Sequence, residues 1–104
     1  RMGAKTEMIA GAFADGQSIA ELQHQLRVKK ATIVKHLTTF VQTGNTLPAD
    51  RLYDELDTSV DIDAVMNAFE EKGAALLTPV YETLNKTVSY DELRLQRLYF
   101  LCRS

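Results

Sequence analysis

Gln17-Ser18-Ile19-Ala20-Glu21-Leu22-Gln23-His24-Gln25-Leu26-Arg27-Val28-Lys29-Lys30-Ala31-Thr32-Ile33-Val34-Lys35-His36-Leu37 is the stretch that decides the fold of this chain. Ser18 followed three residues later by Glu21 is a capping-box signature, in which each side chain satisfies a backbone N–H at a helix start. Ile19, Leu22 and Leu26 then recur at helical spacing and give that helix one apolar face. Leu26-Arg27-Val28 supplies the turn. Glycine is the usual residue there because it adopts positive φ freely, whereas an arginine held in the left-handed region carries strain. Ile33, Leu37, Phe40 and Val41 form the apolar stripe of the next helix, and Gly44 closes it. Lys29 stands where a cap is wanted and has no acceptor for a backbone N–H. Lys30, Ala31, Val34 and Lys35 lie mainly off the stripe, with Thr32 near its edge, so several are expected to face a ligand. Two short amphipathic helices joined by a tight turn, with basic residues on the second, are how a helix-turn-helix presents a recognition helix to DNA. A helical hairpin inside an ordinary bundle produces the same pattern.

Working outward, a first helix is expected from about Thr6 to Ala14, with Thr6 as N-cap and Met8, Ile9, Ala12 and Phe13 buried. It completes a helix-turn-helix unit over residues 6–44. Neither an alternating strand pair nor an Asn-Gly hairpin follows, so no wing is expected. Residues 45–60 read as a connector containing a short helix from Ala49 to Leu56, with Pro48 suited to its first turn. Residues 61–104 read as a second three-helix unit packed on the first. Its helices run from about Ile62 to Lys72, from about Leu76 to Leu84 with the N-cap at or just before Thr78 because of Pro79, and onward from a second capping box at Ser89 and Glu92. Leu93, Leu95, Leu98, Tyr99 and Leu101 are the apolar positions of that last helix. Phe13 echoes Phe69, Leu26 echoes Leu84, Val28 echoes Val88 and Ile33 echoes Leu93 when small gaps are allowed. The fold class expected is therefore all-α: a helix-turn-helix, winged-helix-like without a clear wing, with the echo admitting two tandem three-helix units that share a core.

At 104 residues the chain has room for one compact domain or two very small units on a common core. Residues 1–5 read as a linker or expression remnant, since Arg1 precedes Met2, and the whole as a piece of something longer. No apolar run approaches the ~20 residues of a membrane span. The lone Cys102 excludes an internal disulfide, fits a reducing, cytoplasmic setting, and sits among apolar residues as a small half-buried side chain.

Net charge is −2, which opposes binding to a polyanion, but its distribution is uneven. Leu22 to Ala49 contains Arg27, Lys29, Lys30 and Lys35 and no acid. Asp50 to Glu92 carries three basic and eleven acidic residues, a balance of −8. Chemistry-bearing motifs are missing: no glycine-rich phosphate loop, no HExxH, no CxxC. His24 and His36 stand on different helices with no cysteine to complete a zinc site. Asp61 and Asp63 open a helix and are better explained by capping than by acid–base work. Scattered at helical spacings, the tyrosines suit core roles better than a base-stacking platform. No catalytic, metal or cofactor residue is expected, and no enzymatic activity.

Three segments together carry a family resemblance: Gln17 to Leu22, Lys30 to Leu37, and Leu76 to Arg94, the last reading Leu-Leu-Thr-Pro-Val-Tyr-Glu-Thr-Leu-Asn-Lys-Thr-Val-Ser-Tyr-Asp-Glu-Leu-Arg. They resemble the helix-turn-helix domain at the C-terminus of bacterial DNA helicases of the RecQ-type, UvrD/Rep-like or Pif-like kind, over about residues 6 to 101. The resemblance implies an accessory domain that helps an ATPase motor in the same parent chain engage duplex or forked DNA. Lys29, Lys30, Thr32, Lys35 and His36 fall where such a domain would face DNA, with Arg27 of the turn beside them. Lys29 and Lys30 would meet phosphates; Thr32, Lys35 and His36 would approach base edges or sugars. A motor that works on any sequence implies phosphate contacts, strong salt dependence and little base specificity. Two other readings stay open: a protein-interaction module docking the motor or a repair partner, and a free-standing transcription regulator. The regulator would need a dimerisation element, and none is apparent.

Overall fold

The apolar spacings give seven helices in the computed structural model, which describes residues 3–103: α1 (Ala4–Ala14), α2 (Ile19–Leu26), α3 (Lys30–Gln42), α4 (Ala49–Glu55), α5 (Ile62–Lys72), α6 (Thr78–Thr83) and α7 (Tyr90–Cys102). No strand occurs among the described residues, so no wing is built there. No helix of the described residues is long and apolar enough to cross a membrane. Arg1 and Met2, read from sequence as part of a remnant, lie outside the described residues.

The first helix corrects two expectations. Gly3 occupies the N-cap, and Thr6 is a buried residue of the first turn instead of the cap. Ile9, Ala10 and Phe13 share its face at spacings of three and four, and that face determines which side chains go inside. Met8 falls off the face and is 46% exposed despite its hydrophobicity.

Packing produces two adjoining cores. Ile9, Phe13, Ile19, Leu22, Ile33, Leu37 and Leu52 form the first, completed by Leu95 and Leu98 of α7. Val65, Met66, Phe69, Val80, Val88 and Leu93 form the second. Helix α7 thus supplies Leu93 to one and Leu95 and Leu98 to the other, and Ile62 and Tyr99 pack against both. Three of the four echoed pairs take matching environments: Phe13, Phe69, Ile33 and Leu93 are fully buried and Leu26 and Leu84 half-buried, whereas Val28 is half-buried and Val88 buried. Both short helices also run into left-handed residues, Arg27 after α2 and Asn85 and Lys86 after α6.

Two departures concern α7. Leu101 is 42% exposed, because helical geometry turns it away from the side that Leu93, Leu95, Gln96 and Leu98 bury. The second capping box is only half made. Glu92 N–H donates to Ser89 Oγ at 3.1 Å, but the Glu92 carboxylate turns away to accept Asp57 N–H at 3.0 Å and Gln96 Nε2–H at 2.8 Å. A backbone donor brought in from 35 residues away competes successfully with the local one.

Helix α4 clamps the entry to the helix-turn-helix. Arg51 Nη2 donates to the Gln17 carbonyl at 2.9 Å, and its guanidinium lies 5.2 Å from the Phe13 ring centroid. Glu55 Oε2 accepts Ile19 N–H at 3.0 Å and so satisfies a donor at the start of α2 that the capping box leaves free. Cys102 is half-buried, with Sγ 3.5 Å from the Leu47 N–H that it accepts.

Candidate nucleic-acid interface

The capping box at α2 is reciprocal. Glu21 N–H donates to Ser18 Oγ at 3.0 Å and Ser18 N–H donates to Glu21 Oε1 at 2.8 Å. At the other end, Arg27 adopts φ 57° and ψ 47°, and its N–H and that of Val28 both reach the Gln23 carbonyl. The closure needs a left-handed residue, which the chain fills with arginine. A left-handed side-chain-bearing residue costs about 1 kcal/mol, so Arg27→Gly is expected to stabilise the fold by roughly that amount. Arg27→Ala, which keeps the Cβ, is expected to give none of the gain. Thermal melts of the two variants decide it: equal melting temperatures would show that no strain is stored at the turn.

Lys29 then takes the N-cap of α3 in an extended conformation, with no side-chain cap. Positive dipole, open N–H groups and the Lys29 and Lys30 side chains therefore coincide at the start of the helix. Ile33, Val34 and Leu37 point inward. Val34, expected to lie off the stripe, is only 4% exposed because α7 packs across that side of α3. Ala31, Lys35 and Gln42 are exposed on the outer side, flanked by half-buried Thr32, Thr38 and Thr39. Thr38 and Thr39 donate their hydroxyls to the carbonyls of Val34 and Lys35 one turn back, at 2.8 and 3.1 Å.

Of the six residues expected to contact DNA, Arg27, Lys29, Lys30 and Lys35 are exposed, while Thr32 and His36 are half-buried. His36 leans toward α1, where a 2.8 Å hydrogen bond joins its Nδ1 to Thr6 Oγ1. Burial, then the ammonium groups of Lys5 and Lys35, holds its pKa below the ordinary 6.5. A histidine kept neutral by folding stabilises fully above pH 6.5, and that contribution is lost as pH falls from 6.5 through the lowered native value. Acidification from roughly pH 7.5 to 5.5 is expected to lower the melting temperature, and His36→Gln to lessen the drop. An unchanged drop in His36→Gln would assign the pH dependence elsewhere.

Lys5 is the basic residue that the sequence did not place here. It is exposed on α1, next to Thr6, at the junction with α3. The spacing Thr6, Ile9, Ala10, Phe13 carries the signal, since it makes Thr6 part of a buried face and extends the helix back to Lys5.

Lys30 has different neighbours. With Ala31 and Val34 it lines a cleft of about 230 Å³ whose other wall is Asp57, Ser89, Asp91, Glu92 and Arg94. Arg94 Nη1 is paired to Asp91 Oδ1 at 2.9 Å. Hydrogen bonds from the Ser59 hydroxyl and backbone N–H, opposed by desolvation and aided by Lys30, hold the Asp57 carboxyl below the usual range, so it stays ionised.

The described residues contain no cluster of three or more His, Cys, Asp or Glu side chains able to hold a metal ion. A family model described as a helix-turn-helix domain matches residues 6–97, from within α1 to within α7. No curated protein and no solved structure matches the chain. With nearly its full length inside that match, the chain belongs to the helix-turn-helix domain family.

Proposed function

We propose that this domain binds DNA without catalysing a reaction, as an accessory element of a larger helicase, in a reducing, cytoplasmic setting. The observation that carries the reading is the exposed start and outer side of α3. Lys29, Lys30 and Lys35 project there beside Arg27, and no acid occurs from Leu22 to Ala49. Phosphate contacts dominate in this reading: Arg27, Lys29 and Lys35 are the cationic grip, and the open N–H groups at the α3 start add a weaker one. The helicase parent rests on the sequence resemblance of Leu76 to Arg94, and its motor domains are the proposed partner within the same chain.

Fluorescence anisotropy against random duplex, fork and single strand, at low and then moderate salt, tests it. Micromolar binding that weakens steeply with salt is the expected result. Absence of binding to all three at low salt would overturn it. A second reading, docking onto the motor, draws on the acidic balance of −8 between Asp50 and Glu92, with Asp63, Glu70 and Glu71 exposed on α5. Pull-down with the isolated motor, and its loss on charge reversal at α5, would favour that reading.

A further inference from the structure

We propose that DNA lies across the outer side of α3 toward α1 only, where Lys35 and Lys5 hold phosphates. The α7-facing edge is closed to the phosphate backbone by Asp57, Asp91 and Glu92. This rests on the DNA-binding reading and adds a polarity to it.

The two edges differ in construction. On the α1 side, the 2.8 Å bond between Thr6 and His36 fastens the first turn of α1 to the second turn of α3. Lys5 is the neighbour of Thr6 in that turn and is exposed, and its ammonium and that of Lys35 both bear on the His36 ring. Glu7, the nearest acid on α1, is separated from Lys5 by about 200° of helical rotation and points away. His36 is thereby a positioning residue that holds the two helices together.

On the α7 side, Lys30 and Arg94 share one cleft with three carboxylates, leaving it a net negative charge of one. Arg94 is committed to Asp91. The Glu92 carboxylate is fixed by Asp57 N–H and Gln96 Nε2–H, so it cannot swing out of the way. A phosphate approaching this edge meets those carboxylates within a Debye length of about 10 Å. Lys30, placed by sequence among the phosphate contacts, is therefore largely answered by its own protein.

Anisotropy titrations of the whole chain against a labelled random duplex, with Lys5→Glu, Lys30→Glu and Lys35→Glu, test the polarity. Lys5→Glu and Lys35→Glu are each expected to weaken binding about tenfold and to reduce the slope of log K against log salt by about 0.9. Lys30→Glu is expected to weaken it less than about threefold, given its acid neighbours. All three positions are exposed, and circular-dichroism melts check that each variant is folded. Lys5→Gln, which removes the charge without adding another, is expected to fall between wild type and Lys5→Glu. Binding unaltered in Lys5→Glu but weakened in Lys35→Glu overturns the polarity and leaves DNA binding standing. So does a loss in Lys30→Glu equal to that in Lys35→Glu. Three variants that all bind as tightly as wild type would also overturn the polarity, by taking this face of the protein out of the interface, whereas failure of the wild-type chain to bind duplex at low salt would overturn the DNA-binding reading itself.

Discussion

Reversing Lys29 and Lys35 together, as Lys29→Glu with Lys35→Glu, is expected to weaken duplex binding about a hundredfold at low salt. Each lysine stands on solvent-facing surface of the turn or of α3, without an acidic partner in an ion pair among the described residues. A charge-assisted contact to phosphate contributes roughly 1.5 kcal/mol, so two of them amount to about a hundredfold. Reversal adds repulsion, while the salt dependence shrinks by about two phosphate equivalents. Neither side chain takes part in the core, so the double variant should melt within a few degrees of wild type. Undiminished affinity in a folded double variant would remove α3 from the interface, whatever other surface bound the DNA.

Leu95→Ala is expected to cost about 3 kcal/mol of stability, or roughly 15 °C in melting temperature. Leu95 is fully buried and belongs to the first core, although α7 lies at the far end of the chain. Its neighbours on the same helix, Leu93 and Leu98, are also fully buried, one in each core. A cavity at Leu95 loosens the helix on which both cores depend, so the whole chain should unfold in one transition, earlier than wild type. Two separated transitions, with only one moved by Leu95→Ala, would show that the cores are independent and that α7 does not couple them.

The elements most readable in the sequence are those whose signals are local. The Ser18–Glu21 box, the Ile62 to Lys72 periodicity with Gly73 behind it, and the position of Pro79 at the start of α6 all act within one or two turns. Local strain is legible too: the turn closes on Arg27 with positive φ, where a glycine is usual. Legibility fails where a distant partner decides. Val34 is buried by α7, Glu92 is drawn off by Asp57 N–H, and Met8 loses its place to Ala10 and Thr6. The candidate site follows the same division. Arg27, Lys29, Lys30 and Lys35 were visible as a cluster in sequence. Lys5 required knowledge that α1 packs on α3, and the acidic wall beside Lys30 required knowledge that α7 does.

The threonines of α3 carry a last consequence. By turning their hydroxyls back to the carbonyls of Val34 and Lys35, Thr38 and Thr39 commit their hydroxyl protons to their own helix. Bases are told apart by patterns of donors and acceptors along the groove floor, and a threonine whose proton is held by its own helix has no donor to offer them. In the DNA-binding reading, these two positions of α3 therefore add little to any discrimination between bases.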